Sequence, residues 1–397
     1  MSKKNPLQQH LAPFLKPIAF TYGKLMQWRR AAYGHGLLKS FKTSLPTVSV
    51  GNISWGGTGK TPIVNWILTW AANRKLRAVV LTRGYKASPP SLPFWVQVTS
   101  SPTEAGDEPL MLARKNPSAM VLVDPKRSRA AEYAQKKLQP DLFVLDDGYQ
   151  HLALGRDKNI VLITEYDLTE GWNQVIPAGT WRETEKALNA ADVFLLRLNC
   201  DAKWEDLLAL AKSKLPGKPI FPFCFRNVAL SSLTAPSSKV TSLSGRAYNL
   251  FCGVGSPEGV LASTKEFLGY GPQEFYKFPD HYNYTVQDLK RLCASGLDLL
   301  CTEKDAVKLL KLLEAMPSDY TPPCSIWVLQ LDVDFPAIAS GLTFANWWEK
   351  TFGSIISNSS SNFSNPHALT NASNPANVLT NAPINAPTNA PTNAPIG

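Results

Sequence analysis

A segment at residues 48–62 holds residue types that bind nucleotide phosphates: a short apolar run, a glycine-rich turn, and Gly59-Lys60-Thr61 at a helix start. Glycines let backbone N–H groups surround phosphates, a lysine reaches the β- and γ-phosphates, and a threonine offers a magnesium ligand. Ser54 replaces the first glycine of the usual G-x-x-x-x-G-K-[ST] pattern, but a plain glycine turn would not require Lys60 and Thr61. The predicted nucleotide-binding residues are Ser54, Trp55, Gly56, Gly57, Thr58, Gly59, Lys60 and Thr61, with Lys60 also acting in catalysis.

A second motif begins with the apolar run at residues 142–145 and ends in Asp146-Asp147-Gly148. An apolar strand that presents a carboxylate at its end is typical of the magnesium side of a nucleotide site. Successive side chains of an extended strand point to opposite faces, so only Asp146 faces the metal unless the chain turns at Asp147-Gly148. Such a carboxylate can also cap a helix, but the nucleotide motif upstream favours a magnesium role.

Short apolar runs alternate with helix-like stretches between the nucleotide motif and about residue 200. The runs lie at residues 78–81, 120–123, 142–145, 160–163 and 193–196. This alternation predicts an α/β fold whose main part is a P-loop NTPase-like parallel sheet covered by helices. Ligands of such sheets bind beyond the carboxyl ends of the strands, so the polar residues that follow these runs are expected to converge on the phosphates.

A second, smaller α/β pattern begins near residue 243, and the apolar stretches 220–225 and 326–331 are expected to pair as connecting strands. The last residues repeat Thr-Asn-Ala-Pro-like units, which are typical of disorder. The predicted divisions are a basic amphipathic helix at 1–35, a P-loop domain at 36–225, a smaller α/β domain at 226–335, a helix returning to the P-loop domain at 336–353 and a disordered low-complexity tail at 354–397.

The N-terminal third is strongly basic, since fourteen Lys and Arg precede Glu104, the first acidic residue of a chain with net charge +10. Apolar residues at helical spacing between positions 7 and 33 predict a basic amphipathic helix, regular only after Pro13 and Pro17. Its charges exclude a membrane span and a signal peptide. Such a helix lies in a membrane interface or packs on the globular body, and the pattern alone favours neither.

Six cysteines are scattered through the second half of the chain. They form no C-x-x-C pair, and no histidine cluster accompanies them at zinc-site spacing. We therefore expect reduced cysteines in a cytosolic protein.

Several motifs in a fixed order resemble the tetraacyldisaccharide 4'-kinase family of lipid A biosynthesis. The resemblance spans roughly residues 10–350, with Tyr149 where the family usually has Phe. The matching segments are Gly-Asn-Ile-Ser-Trp-Gly-Gly-Thr-Gly-Lys-Thr-Pro at 51–62, Arg-Gly-Tyr at 83–85, Gly-Asp-Glu-Pro at 106–109, Asp-Asp-Gly-Tyr-Gln-His at 146–151, Pro-Ala-Gly-Thr-Trp-Arg-Glu at 177–183, Phe-Pro-Asp-His at 278–281 and Thr-Glu-Lys-Asp-Ala at 302–306.

The resemblance implies a lipid kinase that transfers the γ-phosphate of ATP to the 4'-hydroxyl of a tetraacyldisaccharide 1-phosphate. It implies that Asp107 is the base on that hydroxyl and that His281 pairs with Asp107 and orients it. The sequence alone would instead favour a helix cap for Asp107 and an interface histidine for His281. The implied Mg²⁺ ligands are Thr61, Asp146, Asp147 and Glu183, and the candidate ligands of substrate phosphate are Arg83 and Arg182.

The resemblance also implies a peripheral protein on the cytoplasmic face of the bacterial inner membrane. Its partners would be that membrane surface and the membrane-embedded acylated disaccharide, with no nucleic acid and no obligate protein partner. The N-terminal helix would then contact the membrane.

Two other classes of protein fit parts of the sequence. A P-loop ATPase of the switch or chaperone type would hydrolyse ATP without a lipid acceptor, although the chain has no Asn-Lys-x-Asp motif of a GTPase. A nucleic-acid-binding protein would use the basic N-terminal third and would bind with strong salt dependence. A requirement for a lipid acceptor separates these alternatives.

Overall fold

The computed structural model describes residues 6–198, 204–235, 237–317 and 320–356. The strands are β1 (Thr47–Asn52), β2 (Ala78–Thr82), β3 (Phe94–Val96), β4 (Met120–Val123), β5 (Leu142–Asp146), β6 (Lys158–Ile163), β7 (Val193–Arg197), β8 (Ile220–Ser232), β9 (Lys239–Val240), β10 (Tyr248–Cys252), β11 (Phe275–Lys277), β12 (Asp298–Thr302) and β13 (Ile326–Asp334). The α-helices are α1 (Pro6–Gly34), α2 (Lys60–Asn73), α3 (Pro102–Ala105), α4 (Asp107–Lys115), α5 (Arg127–Lys137), α6 (Glu165–Leu168), α7 (Glu205–Lys214), α8 (Pro257–Leu268), α9 (Val286–Leu292), α10 (Glu303–Glu314) and α11 (Phe344–Trp348), with a 3₁₀-helix at Glu185–Ala190 and a π-helix at Glu349–Gly353.

One sheet of 13 strands runs through the molecule in the order β11-β10-β12-β13-β8-β7-β6-β1-β5-β2-β4-β3, with β9 paired to β8. β1 lies between β5 and β6 and is parallel to both, and the register places Val50 beside Asp146. The nucleotide motif and the Asp146-Asp147 motif therefore end at the same edge. The α/β class predicted from the sequence is confirmed.

The central strands are buried on both faces because helices cover both sides of the sheet. In β5, Leu142 and Val144 enter the core beneath α2, while Phe143 and Leu145 enter the core beneath α5. This explains why the strand is apolar throughout and does not alternate with polar residues.

β8 and β13 join the two parts of the sheet. The first residues of β8 pair in parallel with β7, and its later residues pair antiparallel with β13 from Cys224 to Ser232. The connecting strands expected from the sequence are therefore paired. The proposed domain boundaries remain predictions, since the sheet is continuous across these two strands.

The C-terminal segment packs its aromatic residues on α2. Trp348 contacts Trp70 edge to face at 5.4 Å and stacks on Phe352 at 4.4 Å between ring centroids. Trp70 Nε1 also donates to Glu349 at 2.8 Å. The segment thus covers the helix that begins at the nucleotide motif, and it continues as helix through residues 354–356. The expected start of the tail at 354 is wrong, and residues 357–397 lie outside the described part.

Two further expectations need correction. Helix α1 runs from Pro6 to Gly34 and so continues through Pro13 and Pro17, although each proline lacks the N–H that would donate within the helix. The expected restriction of the regular helix to the residues after these prolines is wrong. Cys224 is disulfide-bonded and so is not reduced, while Cys252, Cys293, Cys301 and Cys324 are free thiols.

Candidate active site

The glycine-rich loop between β1 and α2 lies at the carboxyl edge of the sheet. Gly59 has a φ of 97°, where a side chain is strained, and a Cβ there would lie 2.2 Å from the ring of Phe225. Lys60 opens α2, and its Nζ lies 3.2 Å from Asn52 Oδ1 and 3.5 Å from Asp147 Oδ1. The ammonium group therefore lies between the ends of β1 and β5, the position in which a lysine contacts bound phosphates.

Neighbouring segments hold the other loop residues from outside. The Trp55 N–H donates to Thr180 O at 2.7 Å, and Arg197 Nη1 donates to Gly57 O at 3.0 Å. The hydroxyl of Thr58 is buried and has no hydrogen-bond partner among the described residues. The loop is thus fixed at its edges and keeps an unpaired donor inside, as a cradle for an anion requires.

The two carboxylates at the end of β5 have different environments. Asp146 is buried and accepts from Thr82 Oγ1 at 3.2 Å through Oδ2, while its Oδ1 has no partner in the described structure. Burial, together with Glu108 and Asp147, raises the pKa of Asp146 to about 7. Asp147 has a φ of 50°, so the chain turns there and both carboxylates lie at the nucleotide edge.

Asp147 is held by two cations. Arg182 Nη1 lies 2.9 Å from both carboxylate oxygens of Asp147, and Lys60 Nζ lies 3.5 Å from Oδ1 of the same carboxylate. Burial acts to raise the pKa of Asp147, but these cations outweigh it and hold the pKa below its ordinary value. Arg182, a candidate ligand of substrate phosphate, is thus placed against the nucleotide side by its ion pair.

The predicted metal ligands are only partly assembled. Thr61 Oγ1 contacts Glu108 Oε2 at 3.4 Å, and Glu108 also acts electrostatically on Asp146. Glu183 instead accepts two hydrogen bonds from Arg30 of α1, both at 2.8 Å. Among residues 6–198, 204–235, 237–317 and 320–356, no three His, Cys, Asp or Glu side chains form a group that could hold a metal ion.

Asp107 and His281, which are 174 positions apart, meet at the boundary between α4 and α10. His281 Nδ1 lies 3.1 Å from Asp107 Oδ2. Asp107 is the first residue of α4, where the helix dipole stabilises a carboxylate. His281 has a φ of 62°, a strained conformation common at functional sites. The structure thus brings together the two residues that the resemblance paired.

Asp107 also lies near the nucleotide edge. The next residue, Glu108, contacts Thr61 in the first turn of α2, and Tyr85 packs its ring 5.6 Å from that of His281. A carboxylate in this place can accept the proton of a hydroxyl that attacks a bound γ-phosphate.

A basic cluster surrounds His151, the last residue of the Asp-Asp-Gly-Tyr-Gln-His motif. Burial, then Arg127, Arg156, Arg29 and Arg83, lowers the pKa of His151 to about 4. Arg127 is buried at the start of α5, and its Nε has no partner in the described part of the chain. Arg83 is exposed at the end of β2. The cluster can bind an anion.

Helix α1 exposes large apolar side chains and binds the body through arginines. Phe14 is 78% exposed and Phe20 is 68% exposed. Arg29 donates to Gln150 O at 3.2 Å, and Arg30 pairs with Glu183. The helix thus joins an apolar surface to the basic cluster. No helix among the described residues is long and apolar enough to cross a membrane.

Sequence reasoning missed Arg127, Lys304 and Lys308. Arg127 follows β4 at the same sheet edge as the predicted residues, so its position after an apolar run could have indicated a ligand-binding residue. Lys308 Nζ lies 3.2 Å from Asp107 Oδ2, and Lys304 Nζ lies 3.3 Å from His281 Nε2. Nothing in the local sequence links these lysines to Asp107, because the contact crosses between two elements.

The chain matches the family model described as tetraacyldisaccharide-1-P 4'-kinase over residues 11–344. It is 45% identical to a tetraacyldisaccharide 4'-kinase of Oleidesulfovibrio alaskensis over 87% of this chain and 96% of that protein. A relative with the same description from Nitratidesulfovibrio vulgaris is 41% identical over 88% and 96% of the two chains.

A solved structure shows the same arrangement of elements. The crystal structure of LpxK from Aquifex aeolicus in complex with ATP aligns with a TM-score of 0.67 and 28% sequence identity, covering 89% of this chain and 99% of that one. The chain belongs to the tetraacyldisaccharide-1-P 4'-kinase family.

Proposed function

We propose that the protein transfers the γ-phosphate of ATP to the 4'-hydroxyl of a tetraacyldisaccharide 1-phosphate. The observation that carries the proposal is the contact of His281 with Asp107 at 3.1 Å. The residue after Asp107, Glu108, contacts Thr61 at the start of α2. A base in this place serves an acceptor hydroxyl. The family membership supplies the identity of that acceptor.

In the proposed reaction the 4'-oxygen attacks the γ-phosphorus. The bond between that phosphorus and the β–γ bridging oxygen breaks, ADP leaves, and the hydroxyl proton passes to Asp107. Lys60 exchanges its contact with Asp147 for the nucleotide phosphates, and the loop N–H groups bind the negative charge. His281 holds the carboxylate of Asp107 in position.

The nucleotide edge fits a magnesium ion. The buried Oδ1 of Asp146 is an oxygen of the kind that binds Mg²⁺ and lacks a partner among the described residues, and Asp147 and Thr61 lie at the same edge. These three residues would hold Mg²⁺ together with phosphate oxygens. When bound, the ion supplies charge stabilisation to the phosphates. Glu183 would act through Arg30, which it binds.

The basic cluster around His151 suits the phosphate already present on the acceptor. Arg127 has an unpaired buried Nε, and Arg83 reaches the cluster from the end of β2. A guanidinium group binds phosphate by charge-assisted hydrogen bonds. We therefore assign Arg127 and Arg83 to substrate phosphate, and Arg182 to the orientation of Asp147.

The exposed apolar residues of α1 suit an interface with the cytoplasmic side of the inner membrane. A tetraacylated acceptor stays in the bilayer, so the active site must reach it there. Phe14 and Phe20 would enter the interface, and Lys16 and Lys24 would contact anionic headgroups. Arg29 and Arg30 tie this helix to the basic cluster that would bind the headgroup phosphate.

The test is transfer of labelled γ-phosphate from ATP, with magnesium, to a tetraacyldisaccharide 1-phosphate in mixed micelles. A reaction without lipid is the control. We expect labelled lipid only in the complete reaction. Free phosphate released equally with and without lipid would contradict the proposal and support a P-loop ATPase that has no lipid acceptor.

A further inference from the structure

We propose that Lys304 and Lys308 of α10 are positioning residues that fix the tautomer of His281 and leave one oxygen of Asp107 free for the acceptor hydroxyl. This inference rests on the proposed function of Asp107 as a base. Lys304 and Lys308 are four residues apart, so they lie on the same face of α10 and point to the same side. One lysine contacts the aspartate and the other contacts the histidine.

Lys308 pairs with Asp107 and occupies one of its carboxylate oxygens. Its Nζ lies 3.2 Å from Asp107 Oδ2, the same oxygen that faces His281 Nδ1, and donates to Tyr282 O at 2.9 Å. The lysine side chain is only 6% exposed, so water screens this contact weakly. With both partners on Oδ2, Oδ1 is the oxygen that takes the proton of the acceptor hydroxyl.

Lys304 determines which nitrogen of His281 carries the proton. A lysine ammonium donates hydrogen bonds and cannot accept them. Its Nζ lies 3.3 Å from His281 Nε2, so Nε2 must be the unprotonated acceptor. The proton of a neutral imidazole is then on Nδ1 and is donated to Asp107 Oδ2. In this tautomer the histidine orients the carboxylate and gives it no proton.

Other charged groups near His281 agree with this assignment. Asp280 Oδ1 lies 3.9 Å from His281 Nε2, which is beyond hydrogen-bond length, but only 3.1 Å from Lys304 Nζ. Glu108 Oε1 lies 3.7 Å from the same ammonium group. These two carboxylates attract the ammonium group of Lys304, and that ammonium group contacts the imidazole of His281.

Buried hydrogen bonds tie the start of α10 to the segment that bears His281. Asp305 is buried and accepts from Thr302 Oγ1 at 2.6 Å, from Tyr284 Oη at 2.8 Å and from the Gly253 N–H at 3.0 Å. His281 and both lysines are therefore one rigid group, and Asp107 is brought to it by α4. The base is completed only where these elements meet.

The first experiment reads the tautomer directly and needs no turnover. The full chain is labelled with ¹⁵N-histidine, and its ring nitrogen shifts are measured at about pH 8, where histidine is ordinarily neutral. The His281→Gln variant assigns the signal among five histidines. We expect protonated Nδ1 and unprotonated Nε2 in the wild type, and a mixture of tautomers in Lys304→Met. Protonated Nε2 in the wild type would overturn the inference even if the lipid kinase activity is present.

Steady-state kinetics gives the second test, with Lys311→Met as the matched control. Lys311 is on the same helix and contacts Thr103, away from the pair. We expect kcat for lipid phosphorylation to fall about 10-fold or more in Lys304→Met and Lys308→Met, with the KM for ATP unchanged, and normal values in Lys311→Met. The same kcat in Lys304→Met and Lys308→Met as in the control Lys311→Met would overturn the inference. A wild-type protein that does not phosphorylate the lipid would overturn the proposed function itself.

Discussion

Carboxylates lie at the nucleotide edge and at the contact between α4 and α10, but the protein pairs them with cations to different extents. At the nucleotide edge, Lys60 is paired with Asp147, and Asp146 has an unpaired oxygen. In the proposed function, those groups change partners when ATP and magnesium bind. At the contact between α4 and α10, one carboxylate oxygen of Asp107 already contacts both His281 and Lys308.

In the proposed function, ligands complete the nucleotide edge, whereas contacts within the protein complete the base. Charge-assisted contacts would hold Asp107 before substrate arrives, which favours proton transfer. At the nucleotide edge, Asp146 keeps a buried oxygen without a partner in the described structure, and a cation would supply that partner. Variants at the two places should therefore affect ATP binding and catalysis differently.

The largest effect is expected from Asp107→Ala. Loss of the base should lower kcat for lipid phosphorylation about 10³-fold, while the dissociation constant for ATP, measured by calorimetry, stays unchanged. The base acts on the acceptor and makes no contact with the nucleotide in this account. Unchanged kcat would remove Asp107 from the mechanism.

Lys60→Ala should weaken both nucleotide binding and catalysis, with kcat about 10²-fold lower. In the proposed function the lysine contacts phosphates in the ground state and in the transition state, so both the ATP dissociation constant and kcat should change. Normal kinetics in this variant would contradict the assignment of the glycine-rich loop. Comparison with Asp107→Ala distinguishes the two sites.

Arg127→Met should raise the KM for the lipid about 10-fold and leave the KM for ATP unchanged, because a charge-assisted hydrogen bond to phosphate is lost. Arg129→Met is the control on the same helix, since Arg129 pairs with Asp124. An equal rise of KM in both variants would show that the effect is not specific to the basic cluster.

Replacement of Phe14 and Phe20 by serine should reduce binding to anionic vesicles several-fold and lower activity on membrane-embedded substrate more than on detergent-dispersed substrate. Both side chains are exposed, so folding should be unaffected. Val228→Ser removes an apolar side chain on β8 that is 47% exposed and serves as control. Equal loss on both forms of substrate would argue against membrane contact.

The smallest effect concerns stability and pH. The pKa of His151 is lowered from 6.5 to about 4 in the folded protein, so the unfolded chain binds more protons between these values. The free energy of unfolding should therefore fall as the pH decreases from about 6.5 to about 4. Thermal unfolding of His151→Gln should show a weaker pH dependence across this range, and identical slopes would contradict the shift.

The sequence predicted most of what depends on local motifs. The glycine-rich loop, the strand ending in Asp146 and the alternation of strands and helices are all encoded in continuous segments, so spacing and apolar pattern suffice. It also left open whether Asp147 lies on the same side as Asp146, and the left-handed turn at Asp147 places both carboxylates at the nucleotide edge. Their role as metal ligands stays a prediction.

Contacts between distant elements were not predictable in the same way. Lys308 meets Asp107 across 201 positions, and Arg30 takes Glu183 away from the predicted metal ligands. Such pairs depend on how α10 packs on α4 and how α1 packs on the body, which single-sequence patterns do not encode. The pairing of Asp107 with His281 came only from the resemblance of several motifs to a family.

³¹P NMR of the lipid product after reaction with ATP and magnesium shows directly whether phosphate is transferred to the 4'-hydroxyl. We expect a new phosphate monoester whose phosphorus couples to the H4' proton of the acylated disaccharide, and the absence of this signal with Asp107→Ala. Inorganic phosphate in place of a second lipid phosphate, or phosphate on another hydroxyl, would contradict the proposed function.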